Sequence, residues 1–237
     1  MYVYIIRHGQ SRGNIDYSLR DAEPYHPLKE ELERKNPSLT RLGRAQAELA
    51  GHRLSQIEFD AVFCGPLHRQ IDTAAIVMGH QKKKVPIEVL SDLTEVGLEG
   101  YAGTPKELYE VLFPDTEIVP CSDPSPTGGP GVIPASAECP EGCRVRGRRI
   151  VEYLKKRFSG SDTILLSTSA MFGGAIVIPA LLELTDNDID TGKNFDFINT
   201  CISMVELTDD GKKIVHFSND ITHLSLPDGE DSANYPF

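Results

Sequence analysis

The sequence predicts an α/β fold: a three-layer α/β/α sandwich with a mostly parallel central sheet, plus irregular lid insertions. Two observations carry this. Short apolar, β-branched runs alternate with amphipathic helical stretches, the pattern of a sheet covered on both faces. The run Thr163-Ile164-Leu165-Leu166-Ser167 reads as a strand buried on both sides. The 237 residues, 40% of them hydrophobic, suffice for one domain over 1–237 with a substantial core.

Residues 2–6 form an aromatic and β-branched strand that ends in the polar turn Arg7-His8-Gly9-Gln10-Ser11. Residues 16–38 carry Pro24, Pro27 and Pro37 and read as a surface excursion, with a charged helical piece near 29–35. Thr40 can cap a helix in which Leu42, Ala45, Leu49 and Leu54 recur at helical spacing. A strand over 60–64 stops at Gly65-Pro66. A helix over 67–78 follows, with Ile71, Ala74, Ala75 and Met78 on one face. Residues 85–90 form a third strand and 106–112 a short helix. Residues 114–140 hold seven prolines, with Gly128, Gly129 and Gly131, and read as a loop or lid outside the core. A helix over 141–158 turns Val145, Ile150, Val151 and Leu154 inward. After the strand at 163–167, residues 172–184 form a largely apolar helix. Strands over 199–207 and 212–217 meet at the turn Asp209-Asp210-Gly211.

In such sheets, ligands bind beyond the carboxyl ends of the strands. The loops after Ile6, Cys64, Leu90 and Ser167 then share one edge. Arg7 and His8 follow the first strand and Arg69 follows the second. A guanidinium is a planar fork of donors that matches two phosphate oxygens at once. Two such forks grip one phosphate, and a neutral histidine between them attacks phosphorus. The arginine charges depress the histidine pKa and keep it unprotonated. Glu95, after the third strand, is placed to give a proton to the leaving oxygen, with Glu99 as a rival in the same loop.

Composition excludes other functions. The net charge of −11 lacks the basic footprint that nucleic acid requires. No apolar run is long enough to cross a bilayer. The amino terminus lacks a basic leader and a small-residue cleavage site. Cys64, Cys121, Cys139, Cys143 and Cys201 are odd in number and scattered, which points to reduced thiols in a cytosol. A zinc site at Cys121, Cys139 and Cys143 lacks a fourth ligand nearby, so no metal is expected. The Lys82-Lys83-Lys84 run, His52 and His80 read as solvated surface, as do Arg12, Arg20, Arg41, Arg44 and Arg53. His68 reads as structural or rim. Tyr17, Tyr25, His26 and Tyr101 are candidates for the mouth of a pocket.

The ordered set of motifs resembles the histidine phosphatase superfamily, the phosphoglycerate-mutase-like fold. Arg7-His8-Gly9 after an amino-terminal strand matches its signature. Asn14 stands where the family often has a phosphate-contacting Asn. The segment Leu39-Thr40-Arg41-Leu42-Gly43 looks like its leucine–threonine–x–x–glycine helix start. Gly65-Pro66-Leu67-His68-Arg69 looks like its serine–proline–leucine–x–arginine segment, with Gly65 in place of Ser. The Glu95 loop and Asn219-Asp220-Ile221-Thr222-His223-Leu224 resemble its acid-bearing loop and carboxyl-terminal segment. The resemblance implies that His8 becomes a phosphohistidine, that Arg7 and Arg69 hold the phosphoryl oxygens, and that Glu95 serves as acid and then base. It implies no cofactor and no metal. The expected partner is a small phosphorylated substrate or inorganic phosphate, and the oligomeric state stays open.

One departure bears on turnover. The family places a second phosphate-holding histidine after the strand near 165. Here Ser169 stands at that position. A serine still donates a hydrogen bond, but losing one preorganised donor costs about a hundredfold to a thousandfold in rate. Ser169 is an engineered change, a natural change in a slow or non-catalytic member, or a sign that another histidine, such as His223, supplies the group. Ser169 as a nucleophile does not fit, because no glycine-flanked elbow surrounds it. Three functions follow: a phosphomonoester hydrolase, a non-catalytic phosphate binder, and a phosphoglycerate mutase. The 114–140 stretch and the residues after Glu95 place the mutase last.

Overall fold

Apolar strands that alternate with helices assemble here around one sheet. The computed structural model of the chain describes residues 1–15, 36–96, 104, 106–121, 140–184 and 197–225. Tyr17, Tyr25, His26, Glu99, Tyr101, the excursion up to residue 35 and residues 122–139 of the expected lid lie outside the described residues.

The strands are β1 (Tyr2–Arg7), β2 (Ala61–Cys64), β3 (Ile87–Val89), β4 (Ile118–Pro120), β5 (Thr163–Thr168), β6 (Ile202–Leu207) and β7 (Lys213–Asp220). They form a seven-stranded sheet in the order β4-β3-β2-β5-β1-β6-β7. The block from β4 to β1 is parallel, while β6 and β7 run antiparallel. The turn between the last two strands places Gly211 at φ +84°, a conformation open to glycine without cost.

The helices are α1 (Arg41–Leu54), α2 (His68–Gly79), α3 (Lys106–Leu112), α4 (Pro140–Arg157) and α5 (Ile178–Leu181). Alternation along β1 separates two apolar clusters. Tyr4 and Ile6 pack with Ala50 and Leu54 of α1 and with Ile71 and Ala74 of α2. Val3 and Ile5 pack on the other face with Ile150 and Leu154 of α4 and Leu181 of α5. These are the three expected layers.

The structure corrects three expectations. The stretch after Pro114 is not all loop: β4 is an edge strand, and Ile118 is buried opposite Ile87. Two β-branched residues among prolines are enough for a short parallel edge that needs few backbone donors. The apolar segment after β5 begins as a π-helical turn, Phe172–Val177, before α5. Pro179 lacks the amide that an α-helix would use, and the amide of Leu184 reaches back to Pro179 O. In α4, Val145 is only half-buried, and its neighbour Arg146 faces inward instead. No helix among the described residues is long and apolar enough to cross a membrane.

Candidate active site

Register brings the site together. Arg7 pairs with Thr168 across β1 and β5, and Cys64 pairs with Ser167 across β2 and β5. The next residue of each strand, His8, Ser169 and Gly65, therefore leaves the sheet at one level. The His8 amide donates to Thr168 O at 2.9 Å and the Gly65 amide to Ser167 O at 3.1 Å.

The two glycine motifs explain each other. A Cβ on Gly43 would lie 1.9 Å from Gln10 O, and a Cβ on Gly9 would lie 2.3 Å from Gly43 O. The loop after β1 thus lies on the first turn of α1, backbone on backbone. Thr40 caps that turn: its Oγ1 accepts from the Gly43 amide at 3.0 Å and donates to Gln10 Oε1 at 2.8 Å. The Gly9 amide donates to Thr73 Oγ1 of α2 at 3.0 Å. His8 sits on a loop fixed from two helices.

His8 is buried, with one face of its chemistry already chosen. Nδ1 lies 2.7 Å from Gly9 O. A carbonyl only accepts, so Nδ1 carries the proton and Nε2 presents a lone pair. That lone pair receives Arg69 Nε–H at 3.1 Å. Burial, then the charges of Arg69 and Arg7, hold the imidazole pKa well below its ordinary value. The ring is neutral and held in one orientation, with a lone pair on Nε2.

Arg69 is in the first turn of α2, and Arg7 ends β1. One terminal nitrogen of Arg7 donates to Phe197 O, while its buried Nε has no partner among the described residues. Asn14 is exposed, and its Oδ1 accepts from the amide and hydroxyl of Ser11 at 3.0 and 3.1 Å. Asn199 Nδ2 donates to His8 O at 3.0 Å and contacts Asn14 Oδ1 at 3.4 Å. Asn14 is thereby a turn-forming residue joined to the histidine loop.

Glu95 is fixed by backbone amides. Its Oε1 accepts from Val96 at 2.8 Å and Phe172 at 3.0 Å, and its Oε2 accepts from Met171 at 3.3 Å. Its charge is felt at both Arg7 and Arg146. The turn that delivers it is clamped at three successive carbonyls. Arg146 of α4 donates to Asp92 O at 2.9 Å and Thr94 O at 3.1 Å. Gln70 Nε2 and Thr168 Oγ1 each donate to Leu93 O at 3.0 Å. Arg149 adds a two-pronged pair to the Asp92 carboxylate, at 3.1 and 3.0 Å.

Ser169 is fully buried, and its Oγ accepts from Gln70 Nε2 at 2.9 Å. His223 is tied elsewhere: its Nε2 lies 3.3 Å from Thr200 Oγ1, with Asp220 and Arg53 nearby. Burial holds its pKa down to about 4. Arg44 departs from the expectation of a solvated arginine, since it pairs with the buried Asp72 carboxylate at 2.9 Å.

Sequence reasoning missed Arg146, Gln70 and Asn199. A signal existed for the first. Arg146 falls on the stripe Cys143, Arg146, Ile150 and Leu154 of α4, a charge at an apolar position. It stacks 4.1 Å from the centre of the Phe172 ring.

A model of the family described as histidine phosphatase superfamily (branch 1) matches residues 3–220. Fructose-2,6-bisphosphatase TIGAR B of Danio rerio is 31% identical over 127 residues, which cover 53% of this chain and 45% of that protein. The chain spans less than half the length of the curated relatives it matches. Two solved structures share the fold. The ecdysone phosphate phosphatase of Bombix mori in complex with tungstate gives a TM-score of 0.61 at 18% identity, covering 90% of this chain and 91% of that one. Phosphoserine phosphatase of Entamoeba histolytica in complex with 3-phosphoglyceric acid gives 0.57 at 17% identity, covering 94% and 98%.

Proposed function

Because the chain belongs to the histidine phosphatase superfamily, branch 1, we propose that it hydrolyses a small phosphomonoester through a phosphohistidine on His8. One observation carries the reading: the Nε2 lone pair of a buried, neutral His8 faces the guanidinium of Arg69 at 3.1 Å, with Nδ1 pinned on Gly9 O. That is the arrangement of an oriented nucleophile beside an anion-binding group.

The chemistry follows from these groups. A phosphate monoester dianion displaces the Arg69–His8 contact and takes the guanidiniums of Arg7 and Arg69. Asn14 and the Ser169 hydroxyl hydrogen add further donors. Nε2 attacks phosphorus, the ester P–O bond breaks, and Glu95 gives its proton to the leaving oxygen. Water then attacks phosphorus, Glu95 takes its proton, and the P–N bond breaks. The products are an alcohol and inorganic phosphate. The arginine charges stabilise the transferring group, so the scheme needs no cofactor.

Serine at 169 is a weaker donor than histidine, so turnover is about a hundredfold to a thousandfold below that of a site with both histidines. The test is phosphate release from p-nitrophenyl phosphate and a panel of phosphorylated metabolites, together with acid-labile labelling of His8. Equal release by the native chain and His8→Ala, with no labelled histidine, refutes the scheme.

A second reading is favoured by the complete burial of Ser169: a member that binds phosphate ligands without turning them over. Tight phosphate binding without release from any ester supports it. Mutase chemistry remains the third reading, and isomerisation of a phosphoglycerate measured against phosphate release separates it from hydrolysis.

A further inference from the structure

We propose that Gln70 is a positioning residue of the phosphate site, and that Gly65, Gln70 and Ser169 form one fitted unit. The inference rests on the phosphate-site reading above but not on turnover.

Gln70 has no exposed surface, yet every polar atom of its carboxamide has a partner. Oε1 accepts from the Leu67 amide at 3.1 Å, in the loop after β2. Nε2 donates to Leu93 O at 3.0 Å, in the loop after β3, and to Ser169 Oγ at 2.9 Å, after β5. Its main-chain carbonyl accepts from Ser167 Oγ at 2.9 Å. One side chain therefore ties three strand ends together, immediately beside Arg69, the group that meets His8. A buried carboxamide with all its partners in place is rigid, because each alternative position leaves a polar group unpaired.

Gly65 makes room for it. A Cβ at that position would lie 2.1 Å from Gln70 Oε1 and 2.7 Å from Leu93 O. Ser169 matches it from the other side. Its Oγ already lies 2.9 Å from the amide nitrogen, so a longer side chain at 169 competes with Gln70 for that space. Gly65 in the loop after β2, Gln70 in the first turn of α2 and Ser169 after β5 thus fit one another, and a lone engineered exchange at 169 does not account for the other two.

The consequence is that histidine at 169 needs space that Gln70 occupies. The experiment uses the full chain in five forms: native, Gln70→Ala, Ser169→His, the double variant, and Gln70→Glu. Phosphate and vanadate affinities are measured by calorimetry, and kcat and KM on p-nitrophenyl phosphate. Ser169→His alone is expected to gain nothing, while the double variant binds vanadate roughly tenfold more tightly than Ser169→His. If only the double variant folds, that is the same coupling. Gln70→Glu keeps the acceptor for Leu67 and loses both donors, and it sets a carboxylate beside the anion. It is expected to bind phosphate about tenfold more weakly, with the loss growing as pH rises.

Equal gains from Ser169→His in the native and Gln70→Ala backgrounds overturn the proposal, as does unchanged phosphate affinity in Gln70→Glu. Absence of hydrolysis in all five forms overturns the phosphatase reading instead, and the affinities still decide the coupling.

Discussion

Replacing Arg146 with methionine tests whether the Glu95 turn is held in place from beneath. Arg146 is fully buried, and the described interactions give it two backbone carbonyls, a ring face and the Cys143 sulfur. Each bond from a charged donor is worth about 1.5–3 kcal/mol, and a desolvated cation–π contact about 2 kcal/mol. Dehydrating the guanidinium opposes them by several kcal/mol. Burial accordingly holds the pKa of this arginine below its ordinary value. Removing the side chain deletes both sides of that balance, and they nearly cancel. What remains is Asp92 O and Thr94 O, buried without their donor, at about 1–3 kcal/mol each. Arg146→Met should therefore lose roughly 2–6 kcal/mol, a fall in Tm of about 4–24 °C. Glu95 loses its fixed approach, so kcat should fall by about tenfold or more while KM moves less. Arg146→Lys keeps the charge without the fork and should fall between the two. Thermal melts and phosphatase kinetics are the assays. A methionine variant with native Tm and native kcat would refute the clamp.

The remaining expectations concern the histidine loop and pH. Gly43→Ala drives a Cβ into Gln10 O, a backbone atom that cannot swing aside. It should cost about 3 kcal/mol and lower kcat by displacing His8, read by melts and kinetics together. Thr40→Ala removes the cap on the Gly43 amide and should cost about 1 kcal/mol in denaturant unfolding, with a smaller loss of activity. His8 is held neutral well below the usual 6.5. If His8 is the proposed nucleophile, the acid limb of kcat/KM should therefore lie below pH 6.5, and a limb centred at 6.5 would contradict that proposal. His223 has a pKa of about 4 when folded against 6.5 when free. As pH falls through that window the unfolded chain takes up the proton first, so stability drops from pH 6.5 toward 4. His223→Gln should flatten that part of the Tm–pH curve, and an unchanged slope would remove His223 as its cause.

Local pattern determined much of this protein. Element order, the cap at Thr40, the strand ends that carry Arg7, His8, Arg69 and Glu95, and the layers of the sandwich all follow from apolar period and turn residues. Those are properties of neighbouring positions, and a chain displays them before it folds. The tertiary structure decided what depends on partners distant in sequence. β4 exists because Ile118 finds Ile87. Asn14 turns to its own loop and to Asn199. Glu95 is committed to amides 76 and 77 residues away. Ser169 reads as a gap in a motif, yet in the fold it meets a carboxamide that begins 99 residues earlier. A polar group taken out of water must find its partner wherever the chain returns, and no period in the sequence records where that is.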